Sequence, residues 1–173
     1  MGLFSFSMRK FYLLDKKSDL EFQKQEANQK INDALSYITA ISDGNICIND
    51  IVSIPEEWRG RLNGYMRCSQ SYASDMATQD LANMSNIFAL QQQQNNYNAQ
   101  QMQTLRNMAF NERYEKRAEE IRKREERQMH VIEKNLQNQL AKIEMEQKTV
   151  DKELDSINSA MNKSIQEFIP KYA

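Results

Sequence analysis

The residues best suited to chemistry in this chain are one histidine, His130, and two cysteines, Cys47 and Cys68. A zinc site made of such side chains needs three or four of them gathered together, which this chain does not supply. A nucleophilic site needs a base within hydrogen-bond reach of the hydroxyl or thiol, yet His130 stands in a charged stretch that predicts an exposed helix. We therefore expect no catalytic residue, no metal site and no cofactor, and a protein that is not an enzyme.

The sequence also predicts neither a glycine-rich phosphate-binding loop nor a basic helix that reads DNA. The four glycines, Gly2, Gly44, Gly60 and Gly64, do not form a phosphate-binding loop. Residues 112–134 are rich in arginine and lysine, but eight basic residues stand among seven acidic ones. A DNA-reading basic helix needs an unbalanced positive surface, so we expect no specific nucleic-acid recognition. Loose contact with packaged nucleic acid would require one helix face to collect the basic residues.

The composition sets broad limits on partners and compartment. The chain has 173 residues, of which 40% are hydrophobic, and a net charge of −1. Because the net charge is close to zero, we expect no overall electrostatic attraction to nucleic acid or anionic lipid. The sequence contains no stretch of 18 apolar residues, so we expect no transmembrane helix. The two cysteines predict free thiols in a reducing compartment.

A long stretch without helix breakers dominates the sequence. No glycine or proline occurs between Tyr65 and Ile169, and Pro55 and Pro170 flank this stretch. Because both residue types interrupt helices, the stretch predicts long helices. Apolar residues recur in it every 11 residues, a step of about 3.67 residues per turn that suits nearly straight helix packing. The series is Phe88, Ala99, Phe110, Ile121, Ile132, Ile143, Leu154 and Ile165.

The strongest helix prediction covers residues 104–169, where the apolar series tightens into the near-heptad spacing of a coiled-coil seam. We expect this seam to join copies of the chain. Gln147 is a polar residue within it, and its amide could set the register by bonding to a partner, or it could be a tolerated polar position at the edge. The predicted seam comprises Phe110, Ile121, Ile132, Leu136, Leu140, Ile143, Val150, Leu154, Ile157, Met161 and Ile165.

Residues 1–17 are rich in aromatic and other apolar side chains. A free tail of this composition would bind other apolar surfaces in water, so we predict an apolar N-terminal arm. The arm could fold back on the chain's own helices, insert into a neighbouring subunit, or touch a membrane. The residues predicted to reach between subunits are Leu3, Phe4, Phe6, Phe11 and Tyr12.

Residues 18–54 predict a capped helix followed by a loop or a short hairpin. Ser18 and Glu21 match a capping box that would start the helix. Gly44 could end it, since glycine readily takes the left-handed conformation. The β-like residues 46–54 could then form a short hairpin or remain an extended loop.

Residues 55–90 predict a second helix with Pro55 in its first turn. Gly60 and Gly64 form either a groove for close helix packing or a soft spot for a kink. Residues 91–103, of which ten of thirteen are Gln or Asn, could continue the helix, kink it, or turn the chain back into a hairpin. Because the 11-residue series keeps its phase through this tract, we favour continuation or a kink.

The tripeptide Trp58-Arg59-Gly60 resembles the Trp-x-Gly motif of the WXG100 proteins, the small helical-hairpin substrates of type VII secretion. In that family the motif lies in the turn between two helices. Here Trp58 falls inside a predicted helix, the chain is much longer, and the family's Tyr-x-x-x-Asp signal is not where the family has it. The resemblance is therefore confined to these three residues.

Together these patterns predict an all-α protein whose long helices form a coiled-coil or helical-bundle rod, with a small N-terminal helical head and room for one short β-hairpin. The expected function is a structural subunit of a multi-copy helical assembly. Its expected partners are copies of itself and other structural proteins of the same assembly. A phage virion component at the head–tail or ejection conduit is the first hypothesis. The alternatives are a secreted filament or translocator subunit of a bacterial secretion system, and an intracellular coiled-coil adaptor.

Overall fold

A computed structural model describes residues 3–42, 44, 46, 51–52, 54–95 and 97–168, without the side chains of Leu3, Glu167 and Phe168. The predicted all-α class is confirmed for this part of the chain. Its four principal helices are α1 (Leu3–Ser42), α2 (Glu56–Asn83), α3 (Ser85–Asn95) and α4 (Ala99–Phe168).

The chain divides into two compact units, and α1 and α4 each contribute to both. The first unit contains residues 1–32 and 132–173, and the second contains residues 33–131.

In the first unit, the N-terminal part of α1 pairs antiparallel with the C-terminal part of α4. Lys24 contacts Glu144 at 3.0 Å, while Arg9, earlier in α1, contacts Glu153 at 2.8 Å, later in α4. Between the helices lies a core of Leu13, Leu20, Val150 and Leu154, with Ile143 and Ile157 packed against it. Burying each such side chain contributes about 1.5–3 kcal/mol, so this core holds the two helices together.

The predicted N-terminal arm is wrong as a separate element, because residues 3–17 form the first turns of α1. The predicted helix start at Ser18 is wrong for the same reason. A capping residue needs non-helical backbone, and Ser18 lies within the helix. Leu13 and Leu20 are both buried against α4, so tertiary packing favours the helix on both sides of Ser18.

In the second unit, the chain turns back after α3, so the favoured continuation or kink through residues 91–103 is wrong. Arg117 of α4 forms an ion pair with Asp80 of α2 at 3.0 Å, and the Arg106 guanidinium lies 6.0 Å from the centre of the Phe88 ring. These contacts pair positions progressively closer to the turn, as two antiparallel helices require. α2 and α3 are themselves separated at Met84.

The start of α4 explains why the helix does not continue through the amide tract. The Asn98 side-chain oxygen accepts a hydrogen bond from the Gln101 amide at 2.8 Å, and the Gln101 side chain accepts one from the Asn98 amide at 3.0 Å. This reciprocal pair is a capping box, and asparagine is a poor helix former. The sequence carried this signal, although the phase of the 11-residue series pointed the other way.

The end of α1 is as predicted: α1 stops at Ser42, and Gly44 has a φ of +70°. A side chain costs about 1–2 kcal/mol in this left-handed region, so Gly44→Ala should lower the free energy of unfolding by about 1 kcal/mol. Gly64 offers a matched control, because it is exposed within α2 and a Cβ there meets nothing within 4 Å. Gly64→Ala should raise stability by about 0.5–1 kcal/mol. Urea unfolding of both variants tests this pair, and equal signs would contradict it.

The predicted hairpin at residues 46–54 lies partly outside the described residues, which omit positions 47–50 and 53. Of the remaining positions, Ile51 and Val52 are helical. Gly60 and Gly64 of the predicted packing groove are exposed, with open space where a Cβ would stand.

Candidate interaction surface

One side of the N-terminal part of α1 presents large apolar side chains to solvent. Phe4 is 79% exposed, and Phe11 and Phe22 are each 69% exposed. We call this surface the outer face of α1. Its members are Phe4, Met8, Phe11, Tyr12, Leu14 and Phe22.

The helical period places this face opposite the side that packs on α4. Phe4, Met8 and Phe11 are separated by four and then three residues, so they share one side of the helix. Leu13 and Leu20 point to the other side, where they are buried. A helix that is apolar on both sides is normally buried on both sides, so the outer face has the character of an interface.

Polar residues divide the outer face into a dense part and an isolated residue. Asp15 and Ser18 continue the spacing of Phe4, Met8 and Phe11, and Phe22 comes after them. The dense part therefore covers residues 4–14, where aromatic side chains dominate. Aromatic residues are enriched in the energetically dominant centres of protein interfaces.

The residues predicted for an inter-subunit arm fall mostly on this face. Phe4, Phe11 and Tyr12 are exposed, whereas Phe6 is half-buried. The side chain of Leu3 lies outside the described residues.

Four residues of the predicted oligomer seam are used within the chain. Val150 and Leu154 are buried against α1, and Ile143 and Ile157 pack beside them. For these four residues the partner is α1 of the same chain, whereas contacts between copies through the rest of the seam remain a prediction. Ile165 is 45% exposed. The half-buried members of the seam are Phe110, Ile121, Ile132, Leu136, Leu140 and Met161. Gln147 is also half-buried, and its role in setting the register remains a prediction.

A polar cluster joins three helical segments of the second unit. The Tyr37 hydroxyl donates a hydrogen bond to Glu125 at 2.9 Å, and Arg61 donates one to the same carboxylate at 2.6 Å. The Trp58 ring lies 5.8 Å from the Tyr37 ring. Glu125 of α4 therefore binds both α1 and α2. Nothing in the sequence spacing singled out these three polar residues, because their partners lie far apart in the chain.

The pKa of Tyr37 is raised above its ordinary value, first because the phenol is buried and then because its hydroxyl donates to Glu125. An unfolded tyrosine loses its proton near pH 10, whereas the folded one holds it to higher pH. Tyr37 therefore contributes its full stabilisation below about pH 10 and loses it as pH rises further.

Tyr37→Phe should cost about 1 kcal/mol at neutral pH, the typical net value of one hydrogen bond, and should reduce the alkaline loss of stability. Urea unfolding between neutral and alkaline pH measures both effects. Tyr72→Phe is the matched control, because Tyr72 is 55% exposed and its variant should keep the wild-type stability at neutral pH. An unchanged alkaline loss in Tyr37→Phe would contradict the assignment.

The second unit also contains an open cleft of about 520 Å³. Tyr65, Tyr114, Glu119 and Arg122 are among its lining residues. Arg122 already forms ion pairs with Glu119 and Glu126, and its guanidinium donates to the Ser42 carbonyl. The cleft therefore presents mixed side chains whose charged members are largely satisfied by one another.

The residues first considered for chemistry do not come together in the described part of the chain. Cys68 and His130 are exposed, and Cys47 lies outside the described residues. No group of three potential metal ligands occurs among the residues described. The helices seen there include none apolar enough over a sufficient length to cross a membrane.

Comparison with known proteins adds no family to these observations. No protein-family model, curated protein or solved structure matches this chain.

Proposed function

We propose that this chain is a non-enzymatic structural subunit of a multi-copy helical assembly, and that copies pack through the outer face of α1. The exposed aromatic residues between Phe4 and Tyr12 carry this proposal. Contiguous exposed apolar surface is uncommon on monomeric proteins and marks interaction sites.

The spacing of the outer face favours another helix as its partner. Phe4, Met8 and Phe11 follow the four-three spacing of a coiled-coil seam, and Tyr12 and Leu14 flank that seam. The chain's net charge is −1, so copies of it repel one another only weakly. A second copy supplies a face of matching shape and period, which makes self-association the preferred arrangement.

A phage virion component at the head–tail junction or ejection conduit is the most specific form of this proposal, and other virion structural proteins are the further partners. It is supported by long helices that can stand side by side in a ring. It is also supported by the exposed amide residues on both sides of the turn after α3, of which Gln91–Asn95 and Gln100 are examples. Amide surfaces can line a wet, weakly binding channel.

A secreted filament or translocator subunit of a bacterial secretion system is the second candidate. The observation favouring it is the helical hairpin that α2 and α3 form with α4, in which Asp80 pairs with Arg117 and Arg106 lies over the Phe88 ring. A coiled-coil adaptor with no assembly beyond a dimer is the third.

The native mass of the purified full chain tests the proposal. A defined oligomer with many copies supports it, and a stable monomer at micromolar concentration would exclude it. Co-purification with virus particles supports the virion form, whereas export into the medium supports the secretion form. A stable dimer found only in the cytoplasm supports the adaptor.

A further inference from the structure

We propose that the exposed side of α4 in the second unit binds the phosphate backbone of double-stranded nucleic acid without regard to sequence. The site consists of Lys116, Lys123, Arg124 and Arg127, which we call the basic row. All four side chains are exposed. This inference does not depend on self-association through α1.

The helical period brings these residues to one side. Lys123, Arg124 and Arg127 follow Lys116 by seven, eight and eleven residues, positions that share a helix face. At 1.5 Å per residue the row extends about 16 Å along the helix. Duplex DNA carries one charge per about 1.7 Å of its axis, so a straight row of this length can meet several phosphates.

Two of the acidic residues that balance these charges in sequence, Glu125 and Glu126, are turned away by the fold. The Glu125 side chain is 15% exposed and is bound by Arg61, and Glu126 is 23% exposed beside Arg122. Both point toward the other helices of their unit, because their hydrogen-bond partners Tyr37 and Ser42 lie there. On the side of α4 that carries the basic row, the four exposed cations outnumber the exposed carboxylates of Glu112 and Glu120.

The basic row keeps most of its charge available. Neither Lys116 nor Arg124 forms an ion pair within the described chain, and Lys123, although it contacts Glu119 at 3.2 Å, is 62% exposed. The carboxylate of Glu120 also lies within the row, where it pairs with Arg117.

A phosphate backbone fits this surface better than a protein or a membrane does. The row contains no large apolar side chain, whereas protein interfaces have an apolar core and membrane-surface helices insert apolar residues. Exposed cations alone are the requirement for binding phosphates without reading bases.

Fluorescence anisotropy of the full chain with a labelled mixed-sequence DNA duplex tests the proposal. The variant Lys116→Gln/Arg124→Gln/Arg127→Gln should bind at least about tenfold more weakly at low salt, because it removes three of four phosphate contacts. The control Lys142→Gln/Lys148→Gln/Lys152→Gln removes the same charge from exposed positions elsewhere on α4 and should bind like the wild type. Equal weakening in the two variants would overturn the proposal.

Two further measurements keep the test decisive if the triple variant folds poorly. For the wild type, the logarithm of the binding constant should fall with the logarithm of salt at a slope of about −3 to −4, as four phosphate contacts require. Glu120→Gln should tighten binding, because it removes a carboxylate from the row. A flat salt dependence, or binding to anionic vesicles or an acidic peptide in preference to the duplex, would overturn the proposal.

Discussion

Leu13→Asp should separate the N-terminal part of α1 from α4 in the first unit. Leu13 is 1% exposed and lies in the core with Leu20, Val150 and Leu154. Losing a buried leucine costs about 2–5 kcal/mol, and a buried unpaired carboxylate adds several more. Hydrogen exchange of the amides in residues 3–32 should therefore lose its protection, and far-UV circular dichroism should show a smaller helical signal.

The adjacent residue provides the control for this experiment. Leu14 belongs to the outer face and is 44% exposed, so Leu14→Asp should change the free energy of unfolding by less than about 1 kcal/mol. Similar losses of protection in both variants would show that the two sides of α1 have been assigned wrongly.

Phe11→Asp should abolish self-association while leaving the first unit folded. Phe11 is 69% exposed in the dense part of the outer face, so the substitution removes no intrachain core contact. Removing an aromatic residue at the centre of an interface typically costs about 2–4 kcal/mol, and a carboxylate placed there must also be desolvated. We expect the self-association constant to fall by at least about a hundredfold, measured by analytical ultracentrifugation or native mass.

Tyr72→Asp is the matched control, because Tyr72 is a comparably exposed aromatic residue, 55% accessible, on α2. It should leave the oligomer unchanged. If Phe11→Asp keeps the wild-type mass, copies do not meet through the outer face, and the proposed function loses its main support.

The packing of Ile143 changes how another substitution must be interpreted. From the 11-residue series alone, Ile143→Asp should block assembly, with Glu119→Ser as a harmless control. In the structure, Ile143 packs against the core formed with α1, so its replacement destabilises the chain itself. Loss of assembly in that variant would not identify an interface between copies.

Several features of the fold were predictable from the sequence because their causes are local. The scarcity of glycine and proline predicted long helices, and Gly44 ended α1 as expected, since the left-handed conformation is a property of that residue. The capping box of Asn98 and Gln101 was equally local. The 11-residue apolar series outweighed it in the prediction. That series keeps the same phase across the turn, so it did not reveal where the helix ends.

The sequence by itself therefore determined that the chain is helical and that an apolar stripe such as the one containing Val150 and Leu154 would be covered by another helix. Only the tertiary structure decided that α1 of the same chain covers it, because a stripe specifies the period of its partner and not the molecule that supplies it. The same holds for charge. Glu125 and Arg124 are neighbours in sequence, but folding binds one to Arg61 and leaves the other in solvent.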